Sequence, residues 1–123
     1  SLFSTSDILS INCPATKETK KIINKKTLEF FSKEAIITNS ARGDMIDDDA
    51  MVDALKNKKI FALGLDVYNG EPDIHPGYLE YPNVFILPHL GSATTKTRTD
   101  MADLAISNIE EFFKSGKCIN KVN

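Results

Sequence analysis

Cysteine is scarce in this chain, with Cys13 and Cys118 the two present. Two thiols make no disulfide framework and show no metal-ligand spacing, so both are expected to be free. Long apolar runs are missing as well: none approaches the roughly 18 residues of a membrane-spanning helix. The residues from Ser1 onward carry no secretory pattern, which makes a cytoplasmic setting the default. Charge of one sign is also lacking. The net charge is -2 over 123 residues, and basic residues gather only in helix-end runs such as Lys56, Lys58 and Lys59, so neither nucleic acid nor an anionic membrane is expected as a partner. The glycines form neither Gly-x-Gly-x-x-Gly nor a P-loop, so this stretch holds no phosphate cradle. No Gly-x-Ser-x-Gly occurs, and Ser92 near His89 lacks a nucleophile elbow. His75, His89 and Asp73 have no spacing that puts them on one element, which argues against zinc. Arg42-Gly43-Asp44 matches a cell-adhesion tripeptide, but three residues carry almost no information. There is no internal repeat and no low-complexity tract.

What is present suits one globular domain. A hydrophobic fraction of 41% and a charged fraction of 26% are ordinary, and a chain this long buries roughly two-thirds of its unfolded surface. Residues 7–12 alternate apolar and small polar side chains and stop at Cys13-Pro14, which reads as a strand. Thr16 to Ile22 and Lys25 to Phe31 are each expected to form a short helix, the first capped by Thr16. Ala35 to Thr38 is a second strand with a turn-rich exit, Asn39 to Gly43. Asp47 to Lys59 carries an N-cap aspartate, acids in its first turn and lysines in its last, with Met51, Ala54 and Leu55 as its buried stripe. Phe61 to Val67 reads as a fully buried strand of a parallel sheet. A loop containing His75-Pro76 leads to the apolar run Val84 to Leu87. From Ser92 a helix of about 24 residues is marked by Met101, Leu104, Ala105, Asn108 and Phe112, with Gly116 as its stop. The order predicts an α/β fold: a partial Rossmann-like, doubly wound parallel sheet of about four strands with flanking helices and a long C-terminal helix.

In such a sheet the ligand lies just beyond the carboxyl ends of the strands. The exits there are Cys13-Pro14, Asn39 to Gly43, Asp66 to Glu71 and Pro88 to Gly91. One arginine, two acids and one histidine therefore converge. Guanidinium grips a carboxylate bidentately, a carboxylate holds an imidazole in one tautomer and favours its protonated form, and imidazole exchanges a proton near neutral pH. Such a set would bind a small acid and protonate a carbonyl beside its carboxylate. Taken singly, each residue has a plainer reading: Arg42 as a surface residue at a strand end, Glu71 as a solvated turn acid, Asp66 as a turn former, His89 as a structural histidine.

The runs SDILSINCPATKET, ITNSARGDMID, ALGLDVYNGEP and NVFILPHLGSAT resemble, in order and spacing, the signature segments of the D-isomer-specific 2-hydroxyacid dehydrogenases, over essentially the whole chain. The resemblance implies a coenzyme domain in which Arg42 binds the substrate carboxylate, His89 donates and accepts the proton, and Glu71 pairs with His89. It also implies cofactor contacts from Cys13, Pro14, Ala41, Arg42, Asp66, His89 and Gly91, with Cys13 equally readable as a small buried strand residue. The cofactor would be NAD or NADP, and the substrate a small 2-keto or 2-hydroxy acid. Glutamate at position 71 argues against the formate dehydrogenase branch, which carries glutamine there. HLGSAT and His75-Pro76 look like the glyoxylate and hydroxypyruvate reductases.

Family members are much longer, with the glycine-rich loop and an acidic ribose-binding residue upstream of the segment corresponding to Ser4. Residues 1–123 are therefore expected to be the nicotinamide-side, C-terminal part of the coenzyme domain, 92–123 its returning helix and tail, and the isolated chain inactive. A homodimer is the family expectation, and a thin sheet leaves an edge that needs cover. The competing expectation is a dehydrogenase-like corepressor scaffold that senses NAD(H) without turnover.

Overall fold

The structure, a computed structural model, describes residues 2–122 and divides into two compact units, residues 1–89 and 90–123. In the first, β1 (Ile8–Ile11), β2 (Ile36–Asn39), β3 (Ala62–Leu65) and β4 (Val84–Ile86) form one sheet in the order β1-β2-β3-β4. All neighbours are parallel. The register runs Ile11 to Asn39 to Leu65 to Ile86, so the last residues of the four strands stand in one row. That row brings the four exits to a common edge. The sheet is the parallel α/β arrangement expected from the order of elements.

Short helices α1 (Leu2–Thr5) and α2 (Lys25–Leu28) and the longer α3 (Asp48–Lys56) accompany the strands. A hydrophobic cluster joins Leu9, Ile11, Ile37, Leu63 and Leu65 of the sheet to Leu28 of α2 and Met51, Ala54 and Leu55 of α3. Each buried Leu or Met contributes about 1.5–3 kcal/mol relative to exposure. Burial alternates along β1, β2 and β3, so the expectation that Phe61 to Val67 is buried on both faces is corrected. Phe61 is 56% exposed, and Ile8 and Phe85 on the outer strands are 65% and 67% exposed. The covering elements of this unit bury one set of alternating residues and leave the other open.

Local chemistry explains the element boundaries. Asp47 caps α3, accepting from the Ala50 amide. The helix stops at Lys56 rather than Lys59 because Lys58 turns left-handed (φ 53). The Lys59 amide then donates to the Ala54 carbonyl at 2.8 Å and that of Lys58 to Leu55 at 3.1 Å, a Schellman closure with lysine in the place glycine usually holds. Thr16 to Ile22 is not a helix. Thr16 Oγ1 accepts from the amides of Glu18 and Thr19, and Thr19 Oγ1 donates to the Pro14 carbonyl. Such local bonds offer the backbone an alternative to the helical ladder, and Ile23 is then drawn into a bridge with Ile46. α2 ends at Leu28 instead of Phe31 because the amides of Phe30 and Phe31 tighten onto the carbonyls three residues back.

The second unit is built on α4 (Thr95–Ser115), 21 residues long, capped by Thr94 and closed by Gly116 at φ 73. Asn108 and Asn120 exchange two hydrogen bonds that fold the tail onto the helix. Its predicted stripe stays open, with Met101, Leu104 and Phe112 all more than half exposed.

Candidate active site

The β2 exit is shaped by Asn39, the buried polar residue of the core. Its side chain accepts from the Ala41 amide at 3.0 Å and donates to the Arg42 carbonyl at 2.8 Å. Both bonds are made where water cannot replace them, so the turn carrying Arg42 is fixed by the last residue of β2. Arg42 itself reaches outward. Its Nη1 donates to the Ala41 carbonyl at 2.6 Å, and no carboxylate among the described residues pairs with it.

Gly43 follows, and the backbone of Tyr68 and Asn69 lies directly against it. A Cβ at Gly43 would stand 2.2 Å from the Tyr68 carbonyl carbon and 2.5 Å from the Asn69 nitrogen. Only glycine lets the β2 and β3 exits touch this closely.

The β3 exit then folds on itself. Glu71 Oε1 accepts from the Tyr68 amide at 3.1 Å, and Glu71 Oε2 lies 2.7 Å from His89 Nδ1. His89 sits at φ 55, a left-handed conformation that histidine enters more readily than most residues and that clusters at functional sites. The bond to His89 is the main reason the Glu71 carboxyl is held below its usual range. The Tyr68 amide adds to this, while partial desolvation and the Asp66 charge oppose it. With Nδ1 committed to Glu71, His89 Nε2 is the nitrogen left for proton exchange.

Arg42, Glu71 and His89 line one open cleft of about 380 Å³, together with Asp44, Tyr68 and Asn69. A second cleft of about 600 Å³ is lined by Cys13, Pro14, Ser40, Ala41 and Arg42. Arg42 borders both. Of the residues proposed for cofactor contact, Cys13, Pro14, Ala41 and Arg42 thus share one concavity. Asp66 stands at the β3 exit, its amide donating to the Asn39 carbonyl at 3.0 Å, and lines neither cleft. Gly91 belongs to the unit that begins at Leu90.

Several residues around the clefts are not legible as such in the sequence. Asn39 was readable as part of a turn but not as its clamp, although an Asx residue closing a strand is a signal for one. Asp44 lines the first cleft, and its Oδ1 is buried with no hydrogen-bond partner among the described residues. Asn69 and Tyr68 carried no signal. His75 proves to be a local cap: its Nδ1 accepts from the Gly77 amide and its Nε2 lies 3.3 Å from Asp49.

The residues fit one end of a dinucleotide. A concavity at the carboxyl edge of a parallel sheet, beside an imidazole–carboxylate pair, is where α/β coenzyme domains place the reactive ring. The phosphate end has no counterpart here, since glycine-rich cradle sequences are lacking.

The architecture and the strand-edge cleft define an α/β coenzyme-binding class. The profile described as "D-isomer specific 2-hydroxyacid dehydrogenase, NAD binding domain" matches residues 1–91, and the chain belongs to that family. It is 43% identical over 113 residues to a glycerate dehydrogenase of Hyphomicrobium methylovorum, covering 92% of this chain and 35% of the relative. Glyoxylate reductase 1 of Saccharomyces cerevisiae is 39% identical, over 95% of this chain and 33% of its own. Among solved structures, an NADPH-dependent glyoxylate/hydroxypyruvate reductase from Sinorhizobium meliloti, in complex with NADP and malonate, superimposes with a TM-score of 0.91. It is 35% identical, covering 98% of this chain and 38% of that one. The chain spans about a third of the length of the curated relatives it matches.

Proposed function

We propose that the chain is the nicotinamide-side, C-terminal part of an NAD(P)-dependent D-2-hydroxyacid dehydrogenase that reduces small 2-keto acids of the glyoxylate or hydroxypyruvate type. The observation that carries this reading is the 2.7 Å Glu71–His89 contact in the same cleft as Arg42, a guanidinium with no acidic partner among the described residues. The names of the relatives support the substrate class.

In this reading Arg42 takes the substrate carboxylate bidentately and fixes the plane of the neighbouring carbonyl. His89, protonated and oriented by Glu71, gives its Nε2 proton to the carbonyl oxygen in reduction and recovers it in oxidation. Bound NAD(P)H supplies the hydride, and the protein supplies orientation and charge. Cys13, Pro14 and Ala41 line the cleft assigned to the nicotinamide ring, and Asp66 and His89 are assigned to its neighbourhood from the β3 and β4 exits. Residues 92–123 serve as the returning helix and tail, and the working enzyme is a cytoplasmic homodimer. The phosphate groups are held by sequence outside these residues, so the 123-residue chain alone binds cofactor weakly and does not turn over.

The test has two arms. Calorimetric titration of NADH and NADPH into this chain and into the complete reading-frame product should give binding only in the longer protein. In that protein His89→Gln should lower turnover on glyoxylate and hydroxypyruvate by about a hundredfold or more, while Arg42→Ala mainly raises KM. Wild-type turnover in His89→Gln would remove His89 from the reaction.

A further inference from the structure

Three consecutive aspartates open α3, and each engages different side chains. Asp47 pairs with Lys21 at 3.0 Å, and Asp49 meets His75 at 3.3 Å. Both contacts have at least one well-exposed partner, and pairs of that kind count for little. Asp48 is different. Its Oδ1 accepts from the Tyr78 hydroxyl at 2.8 Å and its Oδ2 from Asn69 Nδ2 at 2.8 Å. Tyr78 is 1% exposed, and burial, with the Asp48 bond second, raises its hydroxyl far above the usual range. The hydroxyl therefore remains a donor at every working pH and fixes the Asp48 carboxylate.

The other oxygen reaches the catalytic loop. Asn69 immediately precedes Gly70-Glu71, and its Nδ2 also donates to the Ile46 carbonyl at 3.2 Å. The Tyr68–Glu71 turn closes through its own Tyr68–Glu71 bond, which gives it a shape but not a location. Location comes from outside the turn: the Gly43 contact bounds it on one side, and Asp48, with the Ile46 carbonyl as the longer second acceptor, holds it through Asn69.

We infer that Asp48 is a positioning residue: through Asn69, and with its own rotamer fixed by Tyr78, it sets where the Glu71 carboxylate stands and so maintains the Glu71–His89 pairing. The inference deepens the proposed function and rests on its assignment of His89. A plainer role exists, because an acid in the first turn of a helix is stabilising wherever it points. Asp47 shares that role without touching Asn69, and serves as the control.

The experiment is a carboxyl-carbon NMR titration of Glu71 in this chain, for wild type, Asp48→Asn and Asp47→Ala. In Asp48→Asn a single neutral oxygen remains to accept from either Tyr78 or Asn69, so the charged clamp that joins the two is lost. The Glu71 midpoint should then rise toward that of an ordinary glutamate, since the His89 bond that lowers it is loosened. Asp47→Ala should unfold more easily yet keep the wild-type midpoint. If Asp48→Asn does not fold, Asn69→Ala cuts the same link from the loop side, together with the Asn69–Ile46 bond, and an unchanged midpoint there overturns the inference. So does an unchanged midpoint in a folded Asp48→Asn, or an equal rise in Asp47→Ala. The readout needs no turnover. Activity surviving in His89→Gln would refute the proposed function and leave the titration result standing.

Discussion

Replacing Gly43 with alanine should separate the two strand exits that build the cleft. The added Cβ would lie 2.2 Å from the Tyr68 carbonyl carbon, 2.4 Å from its oxygen and 2.5 Å from the Asn69 nitrogen. Carbon atoms at rest stand about 3.5–4.0 Å apart, so the β2 exit must retreat by more than about 1 Å. All three obstacles are backbone, and no flexible side chain can yield instead. Overpacking of this kind costs about 1–3 kcal/mol, to be read as a lower denaturant midpoint with unchanged slope. Gly64→Ala is the matched control. Its Cβ would meet Thr38 Cγ2 at 3.3 Å, a side-chain methyl that can shift, and stability should change by less than about 1 kcal/mol. In the complete enzyme a shift of about 1 Å at Arg42 is expected to lower kcat/KM about a hundredfold. Gly43→Ala as stable as Gly64→Ala, with full activity, would refute the claim that these exits are locked in contact.

Asn39→Ala should cost about 1–3 kcal/mol by urea unfolding, because the Ala41 amide and Arg42 carbonyl lose their buried partner. Asn39→Leu, which adds apolar bulk without the bonds, should not recover it. Stability should also fall in acid. Glu71 and Asp47 are both held below the usual carboxylate range, by His89 and by Lys21 respectively. A lowered folded pKa gives stability that is present above the unfolded pKa and lost as pH falls through the folded one. The acid limb of the stability profile should therefore flatten in Glu71→Gln and Asp47→Asn, and a limb identical to wild type in both would exclude these two groups as its source.

The parts of the molecule legible in the sequence are those whose causes are local. A strand bounded by Pro14, a helix opened by Asp47 and a helix closed by Gly116 each announce themselves within a few residues. The convergence of Arg42, Glu71 and His89 was also legible, because parallel strands must share a carboxyl edge, and the level row from Ile11 to Ile86 is the physical form of that rule. The errors came where local chemistry competes: threonine bonds dissolve the helix expected at 16–22, and a left-handed lysine ends α3 early.

What the sequence hides is the support behind the site, and the three aspartates of α3 show why. As text, Asp48 and Asp49 are two first-turn acids behind the Asp47 cap, interchangeable in charge and propensity. In space they differ, because Asp48 alone of the two meets the buried Tyr78 and the side chain of Asn69, whereas Asp49 lies out in solvent beside His75. Nothing within its own helix distinguishes it from its neighbours, since the distinction is made by where β3 ends and where the turn at 76–80 buries Tyr78. A site residue is recognisable by the chemistry of its own side chain, whereas a positioning residue is defined by its partners, and partners are fixed only by the fold. Substitutions at such positions should therefore look conservative in sequence and still displace Glu71 from His89.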